Sequence, residues 1–152
     1  MKIGIIGASI DVNNTNMQAI ASDLGVWLAK NNHIMVYSGE ASGLVRTVLE
    51  NIARSGGKSI HQAGLSIDDI LTEVDAFVFL PGGIDVFNTG IRLLNLCEEG
   101  IFSKPFLLLN IDDFWVPLEQ LIGKMESEHY ISKKPNNVFF CNNLNTIADI
   151  IK

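Results

Sequence analysis

Three short segments rich in glycine and serine hold the residues best suited to bind a ligand. They are Gly7-Ala8-Ser9, Ser38-Gly39-Glu40-Ala41-Ser42-Gly43-Leu44 and Pro81-Gly82-Gly83-Ile84-Asp85. Glycine lets backbone N–H groups approach a ligand closely, and a helix that follows such a loop offers unpaired donors and the positive end of its dipole. Together the segments predict a site for a small anion, although each one alone can also be a tight turn.

Charged side chains in and near these segments are the candidates for catalysis and ligand contacts. Asp85 and Glu40 are the carboxylates of these segments, and Glu40 can contact a ligand or cap its loop. Arg46 and Arg92 are candidate phosphate partners or, alternatively, solvated arginines on helix faces. Neither G-x-G-x-x-G after the first strand nor G-x-x-x-x-G-K-[ST] occurs, which excludes the standard dinucleotide and P-loop fingerprints.

The histidines and cysteines show no spacing typical of a metal or redox site. His33, His61 and His129 have no partner at motif distance, and we expect structural or surface roles for them. Cys97 and Cys141 lie far apart with no Cys-x-x-Cys, so we expect both to be buried and reduced. The sequence therefore predicts no metal and no cofactor.

Short apolar runs alternate with helix-like segments from end to end, which is the pattern of βαβ units. The predicted strands are Lys2–Gly7, His33–Tyr37, Lys58–Gln62, Ala76–Leu80, Pro105–Asn110 and Val138–Cys141. The predicted helices are Asn16–Lys30, Gly43–Ser55, Ser66–Glu73, Asn88–Glu99, Phe114–Met125 and Leu144–Ile151. The predicted helix caps are Asn14 or Thr15, Ser42, Ser66, Asn88, and Asn142 or Asn143.

These elements predict an α/β fold of the Rossmann-like, doubly wound type. Most strands are apolar on both faces, so the expected architecture is a three-layer sandwich with a mostly parallel sheet of five to six strands. In such a sheet, ligands bind outside the carboxyl ends of the strands, where the three glycine segments would meet.

Composition limits the number of domains and the classes of partner. With 152 residues, of which 47% are hydrophobic and 18% charged, we expect one domain over residues 1–152. The net charge of −6 and the lack of a basic run argue against binding to nucleic acid or to an anionic membrane surface. No apolar stretch is long enough to span a bilayer, and the expected compartment is the cytoplasm.

Several segments, in order and nearly end to end, resemble the LOG ("lonely guy") family of phosphoribohydrolases, also known as lysine decarboxylase-like proteins. The resemblance rests on the glycine segments, on the helix Ala21–Ala29, on Asp75–Gly83 and on Gly100–Trp115. The last two are similar to the family patterns DAF-[IV]-x-LPGG and GI-x-x-KP-x-x-LLN-x-DG-[YF]-[YF]. The resemblance implies a homodimer that cleaves the N-glycosidic bond of a nucleoside 5′-monophosphate, releasing a base and ribose 5-phosphate.

The chain departs from the family at positions that carry the chemistry. The family signature P-G-G-x-G-T-x-x-E places Asp85 at its third glycine, Val86 at its threonine and Thr89 at its catalytic glutamate. The family's arginine falls near Ser66, so both groups are expected to be missing. Lysine decarboxylation is not expected either, because Lys104 precedes its strand and so lies at the wrong end for the site.

Three functions remain open from the sequence. The first is binding of a nucleoside monophosphate or ribose phosphate, with phosphoribohydrolase activity lost or altered. The second is an active N-glycosidase that uses a relocated carboxylate such as Asp85, Glu40 or Asp11, and the third is a dimeric scaffold. The predicted ligand-binding residues are Gly7, Ser9, Gly39, Glu40, Ser42, Gly43, Leu44, Pro81, Gly82, Gly83, Val86 and Thr89.

Overall fold

Six parallel strands form one sheet in the order β3-β2-β1-β4-β5-β6. The computed structural model describes residues 1–62 and 66–152. The strands are β1 Lys2–Ile6, β2 Ile34–Ser38, β3 Lys58–Gln62, β4 Ala76–Phe79, β5 Phe106–Leu109 and β6 Val138–Cys141. The sheet confirms the predicted α/β class, with the larger of the two predicted strand numbers and with every pairing parallel.

Helices cover both faces of the sheet. They are α1 Thr15–Lys30, α2 Gly43–Arg54, α3 Ile67–Ile70, α4 Ile84–Glu98, α5 Val116–Ser127 and α6 Leu144–Ile150, with a 3₁₀ turn at Ile111–Asp113. Helices α1, α2 and α6 bury apolar residues in one cluster, while α3, α4 and α5 bury theirs in another. Strands β4 and β5 are buried along their whole length because they contribute side chains to both clusters.

Local sequence signals explain most of the helix boundaries. The Asn14 side chain accepts a hydrogen bond from the Met17 N–H at 3.1 Å and begins α1, and Asn143 accepts from the Thr146 N–H at 3.0 Å and begins α6. After α4, Gly100 adopts a φ of +74°, a left-handed conformation that glycine tolerates and that ends the helix. The predicted caps at Asn14 and Asn143 are therefore confirmed.

The predicted start of α4 at Asn88 is wrong. The helix is capped by Gly83 and begins at Ile84, so that Asp85 lies in its first turn and not on the preceding loop. An acidic side chain in the first helical turn interacts favourably with the helix dipole, and this offsets the lack of a side-chain cap at Gly83. Two other helices also differ from the prediction: α3 spans only Ile67–Ile70, and α5 begins at Val116 with a proline in its first turn.

The order of the strands reverses between β1 and β4. Strands β2 and β3 lie on one side of β1, and strands β4, β5 and β6 lie on its other side. The loops that follow β1 and β4 stay together, since the Ala8 N–H donates to the Pro81 carbonyl oxygen at 3.0 Å. This is the switch point at which open parallel sheets bind ligands.

Close packing places the loop after β2 against the loop after β1. Gly43, the first residue of α2, has a φ of +54°, and a Cβ there would lie 2.2 Å from the Ala8 carbonyl oxygen and 2.3 Å from that of Ile10. No larger residue fits without moving backbone. The glycine at this position therefore brings the amino end of α2 to the switch point.

Both cysteines are free and buried, as predicted. Burial raises the pKa of the Cys141 thiol to about 11 and also raises that of Cys97. In the parts of the chain that the structure describes, no helix is long and apolar enough to cross a bilayer.

Candidate functional site

A cleft of about 330 Å³ opens at the switch point, outside the carboxyl ends of β1, β2 and β4. The loops after β1 and β2 line it together with the first turns of α4, at the sheet edge expected from the parallel topology. The residues that line the cleft are Ile5, Ile6, Gly7, Ser9, Ser38, Gly39, Glu40, Ser42, Val45, Ser66, Ile67, Ile70, Asp85, Val86 and Thr89. The floor is apolar and the rim is made of hydroxyls and carboxylates.

Asp85 reaches the cleft from the first turn of α4. Its carboxylate accepts a hydrogen bond from the Ser9 hydroxyl at 3.2 Å, which joins the β1 loop to the first turn of α4 across the switch point. The carboxylate is exposed to solvent in the open cleft. It is thus placed both to accept hydrogen bonds from ligand hydroxyls and to meet any reacting centre.

Thr89 lies one helical turn after Asp85 on the same face of α4. Its hydroxyl donates to the Asp85 carbonyl oxygen at 3.0 Å, so the side chain is bonded back to its own helix. A threonine side chain is uncharged at neutral pH. Thr89, which the family signature is expected to place at its glutamate, therefore faces the cleft but carries no carboxylate.

Glu40 and Gly39 form the wall of the cleft that follows β2. The His61 ring stacks on Tyr37 with centroids 4.9 Å apart, and His61 Nε2 donates to the Gly39 carbonyl oxygen at 2.7 Å. This bond holds the loop from the neighbouring strand β3. His61 thus has a structural role at the margin of the cleft, although the sequence showed no partner for it.

The amino ends of two long helices face the cleft. Ser42 precedes α2 and Gly83 precedes α4, and neither residue makes a side-chain hydrogen bond that caps its helix. The first N–H groups of a helix have no partner within it and carry a partial positive charge. These groups are the donors that the site can offer to an anion.

The two arginines proposed as phosphate partners are bound to other groups. Arg92 donates to Asp68 at 2.6 Å, and this hydrogen bond holds the pKa of the Asp68 carboxyl below its usual value. Arg46 donates through Nε to the Ala41 carbonyl oxygen at 3.2 Å and lies 4.0 Å from Asp11. Neither arginine lines the cleft.

The predicted catalytic and ligand-binding residues divide into three groups by position. Those that line the cleft are Gly7, Ser9, Gly39, Glu40, Ser42, Asp85, Val86 and Thr89. Leu44 does not face it, because its side chain is buried in the core beneath α2. Residues that flank the cleft without lining it are Gly43, Pro81, Gly82 and Gly83.

Sequence reasoning did not select the third wall of the cleft. Ser66, which caps α3, lines it together with Ile67 and Ile70 of that helix. The Ser66 N–H donates to Asp69 at 3.0 Å, so the capping box that predicted a helix start also shapes this wall. The signal that could have identified it was the alignment of Ser66 with the family's arginine.

The described residues show no group of three or more His, Cys, Asp and Glu side chains placed to hold a metal ion. Phe87 lies exposed on α4 and does not line the cleft.

Comparisons with known proteins agree on one family. A family model described as "Possible lysine decarboxylase" matches residues 68–151. The probable cytokinin riboside 5'-monophosphate phosphoribohydrolase LOG4 of Oryza sativa subsp. japonica is 26% identical over 150 residues, which cover 84% of this chain and 65% of that protein. The cytokinin riboside 5'-monophosphate phosphoribohydrolase LOG2 of Arabidopsis thaliana is 26% identical over 90% of this chain and 75% of its own length. The chain thus spans about two thirds to three quarters of these relatives.

Solved structures share the fold. The molybdenum cofactor carrier protein of Chlamydomonas reinhardtii superposes with a TM-score of 0.73 at 13% identity and covers 99% of this chain and 98% of its own. The molybdenum cofactor binding protein of Rippkaea orientalis superposes with a TM-score of 0.71 at 15% identity, over 99% of this chain and 97% of its own. At these identities the likeness establishes the architecture.

Proposed function

We propose a function from the premise that this chain belongs to the LOG family, the family whose model is described as "Possible lysine decarboxylase". The chain binds a nucleoside monophosphate or a related phosphosugar in the cleft, and the phosphoribohydrolase activity of its relatives is lost or altered in it. The observation that carries this proposal is the convergence of the β1 and β2 loops, and of two helix amino ends that have no side-chain cap, on one cleft of about 330 Å³.

The composition of the cleft supports a loss or change of activity. Cleavage of a ribosyl bond proceeds through a positively charged, oxocarbenium-like centre, which an aligned carboxylate stabilises. Thr89 stands where the family has its glutamate and is bonded to the Asp85 carbonyl oxygen. Ser66 stands near the position of the family's arginine, and no arginine lines the described cleft.

A second candidate function is an active N-glycosidase with a relocated carboxylate. The observation that favours it is the position of Asp85, which enters the cleft from the first turn of α4 and is oriented by the Ser9 hydroxyl at 3.2 Å. A carboxylate held in this way could stabilise the ribosyl cation or activate water. Asp85 is therefore the first candidate for the acting carboxylate, and Glu40 is the other carboxylate that lines the cleft.

One panel of assays separates these functions. The melting temperature of the protein is measured with nucleoside monophosphates, ribose 5-phosphate and free bases, because a ligand that binds the native state raises it. Each ligand that raises it is then incubated with the protein and analysed by chromatography. Intact monophosphate supports a binding protein, whereas released base that disappears in Asp85→Asn supports the N-glycosidase. No shift with any ligand contradicts both.

Thr89→Glu provides a gain-of-function test. If the missing glutamate is what abolishes hydrolysis, this variant releases base from a monophosphate that the unaltered protein only binds. Thr89→Gln is the matched control, since it has nearly the same size and no carboxylate. Equal release by both variants would show that the carboxylate is not responsible.

Lysine decarboxylation is not part of the proposal. Lys104 precedes β5, at the end of the sheet opposite the cleft, and its Nζ donates to the carbonyl oxygens of Val74 at 2.5 Å and Leu71 at 3.3 Å. The ammonium group is therefore used to join two segments of the fold.

A homodimer is proposed from the outer face of α4. Ile84, Phe87 and Ile91 recur at helical spacing and are exposed by 83%, 44% and 40%. These three side chains form an apolar stripe on α4. The stripe continues into an apolar groove of about 190 Å³ between α4 and α5, which is lined by Leu94 and Leu121 among others. Apolar patches of this kind commonly mark interfaces, and a twofold axis lets one stripe pack on its copy. Light scattering should give twice the chain mass, and the double variant Ile84→Ser, Ile91→Ser should give a monomer.

A further inference from the structure

The cleft carries a negative charge from its side chains. Glu40 and Asp85 contribute two carboxylates, and the remaining polar side chains that line it are the hydroxyls of Ser9, Ser38, Ser42, Ser66 and Thr89. No lysine, arginine or histidine lines the cleft in the described chain, and residues 63–65, which lie outside the description, are alanine, glycine and leucine. The side chains around a bound phosphate ester would therefore repel it.

The nearest arginines do not offset this charge. Arg92 is committed to Asp68 at 2.6 Å, and the pair is formally neutral. Arg46 is 4.0 Å from Asp11 and also bonds the Ala41 carbonyl oxygen. Each arginine thus has a carboxylate partner of its own outside the cleft.

The amino ends of α2 and α4 supply the positive potential. Each helix amino end is equivalent to about half a positive charge, so the two together supply about one. The two carboxylates carry two negative charges and the helix ends supply about one positive charge, so the cleft has a net negative charge. Such a site accommodates a ligand with one negative charge better than a ligand with two.

We infer that the cleft selects phosphate esters that carry a single negative charge over those that carry two. This inference rests on the proposed function, and it names the class of phosphosugar that binds best: a phosphodiester, or a monoester that has kept one proton. The hydroxyls of the rim and the two carboxylates serve the ribose, while the helix ends receive the singly charged phosphate. Among the described residues, no cationic side chain lines the cleft to pair with the second negative charge of a phosphate monoester.

The test is a series of ligands that differ in charge at one pH. At pH 8 adenosine is neutral, the 5′-methyl ester of adenosine monophosphate carries one negative charge, and adenosine 5′-monophosphate carries nearly two, since the second pKa of a phosphate monoester is about 6. Dissociation constants are measured by calorimetry. One extra unit charge about 6 Å from an uncompensated carboxylate, at an effective dielectric constant of about 40, changes affinity about tenfold. We therefore expect the methyl ester to bind about ten times more tightly than the monophosphate.

Two variants separate charge from the bulk of the methyl group. In Asp85→Asn and Glu40→Gln the preference for the methyl ester should shrink severalfold, because each removes one negative charge from the cleft. Asp23→Asn, on the exposed face of α1 and outside the cleft, is the control for net charge and should keep the full preference. Glu40 is exposed, so its replacement tests the idea without risk to the fold.

The outcomes distinguish this inference from the proposed function. Tighter binding of the doubly charged monophosphate overturns the inference and leaves the proposed function standing. A preference for the methyl ester that persists unchanged in both carboxylate variants also overturns it, because the methyl group and not the charge is then responsible. Binding of no member of the series, when the series is repeated with each nucleoside of the panel described above, contradicts the inference and the proposed function together.

Discussion

Two glycines in the same loop should respond very differently to alanine. Gly39 and Gly43 both have positive φ angles, +68° and +54°. A Cβ at Gly39 meets nothing within 4 Å, whereas a Cβ at Gly43 lies 2.2 Å from the Ala8 carbonyl oxygen and 2.3 Å from that of Ile10. The comparison therefore separates the conformational cost of alanine from the cost of close backbone packing.

The magnitudes follow from these two contributions. A left-handed conformation costs an alanine about 1 kcal/mol or slightly more, which is the whole effect expected for Gly39→Ala. Gly43→Ala adds an overlap with rigid backbone that costs about 2 kcal/mol, so its free energy of unfolding should fall by about 3 kcal/mol. For a chain of this size, 1 kcal/mol corresponds to about 2–4 °C in melting temperature. Gly39→Ala should therefore lower it by about 2–4 °C and Gly43→Ala by about 6–12 °C.

Thermal and urea denaturation of the two variants, followed by circular dichroism, measure this difference. Unchanged urea m-values would show that both variants unfold from the same compact state. If Gly43→Ala and Gly39→Ala lower the melting temperature equally, the close approach of α2 to the β1 loop does not restrict position 43 to glycine. Close packing at Gly43 would then not be what holds the amino end of α2 at the switch point.

Three further predictions concern stability and thiol chemistry. Asp113 has a φ of +57°, so Asp113→Gly should raise the melting temperature by about 2–4 °C, as measured by calorimetry. The hydrogen bond from Arg92 lowers the pKa of the Asp68 carboxyl in the folded protein. The ion pair therefore stabilises the fold above the ordinary pKa of 3.8, and this stabilisation is lost as the pH falls through the lowered pKa of the folded state. The melting temperature of Asp68→Asn should consequently fall less steeply with acidification than that of the unaltered protein. Burial raises the pKa of Cys141 to about 11, so at pH 8 neither it nor buried Cys97 should react with a disulfide reagent until the protein unfolds in guanidinium.

The strands and the glycine loops could be predicted from local pattern because their signals lie within a few residues of each other. The run Ala76–Leu80 is apolar at every position, which indicates a strand covered on both faces, and β4 is buried throughout. The start of α4 could not be predicted in this way. Asn88 is a good capping residue by type, but the chain already turns into the helix after Gly83.

Long-range pairing decided the roles of the charged residues. Arg92 and Asp68 lie 24 positions apart, and nothing in the local sequence pairs them. Once paired, Arg92 is not a free cation beside the cleft. The same holds for His61, which reaches Gly39 only because β3 lies next to β2.

By itself, the sequence determined the α/β class, the order of strands and helices and the three loops at the carboxyl edge, because hydrophobic periodicity and glycine placement act over short distances. The tertiary structure alone decided which side chains share the cleft. In the folded chain Ser9 bonds Asp85, 76 positions away, and Asp85 lies within a helix. Arg46 and Arg92 lie next to Asp11 and Asp68, which are carboxylates outside the cleft. The net charge of a site is a sum over residues that only folding brings together, and here that sum favours a ligand of low negative charge.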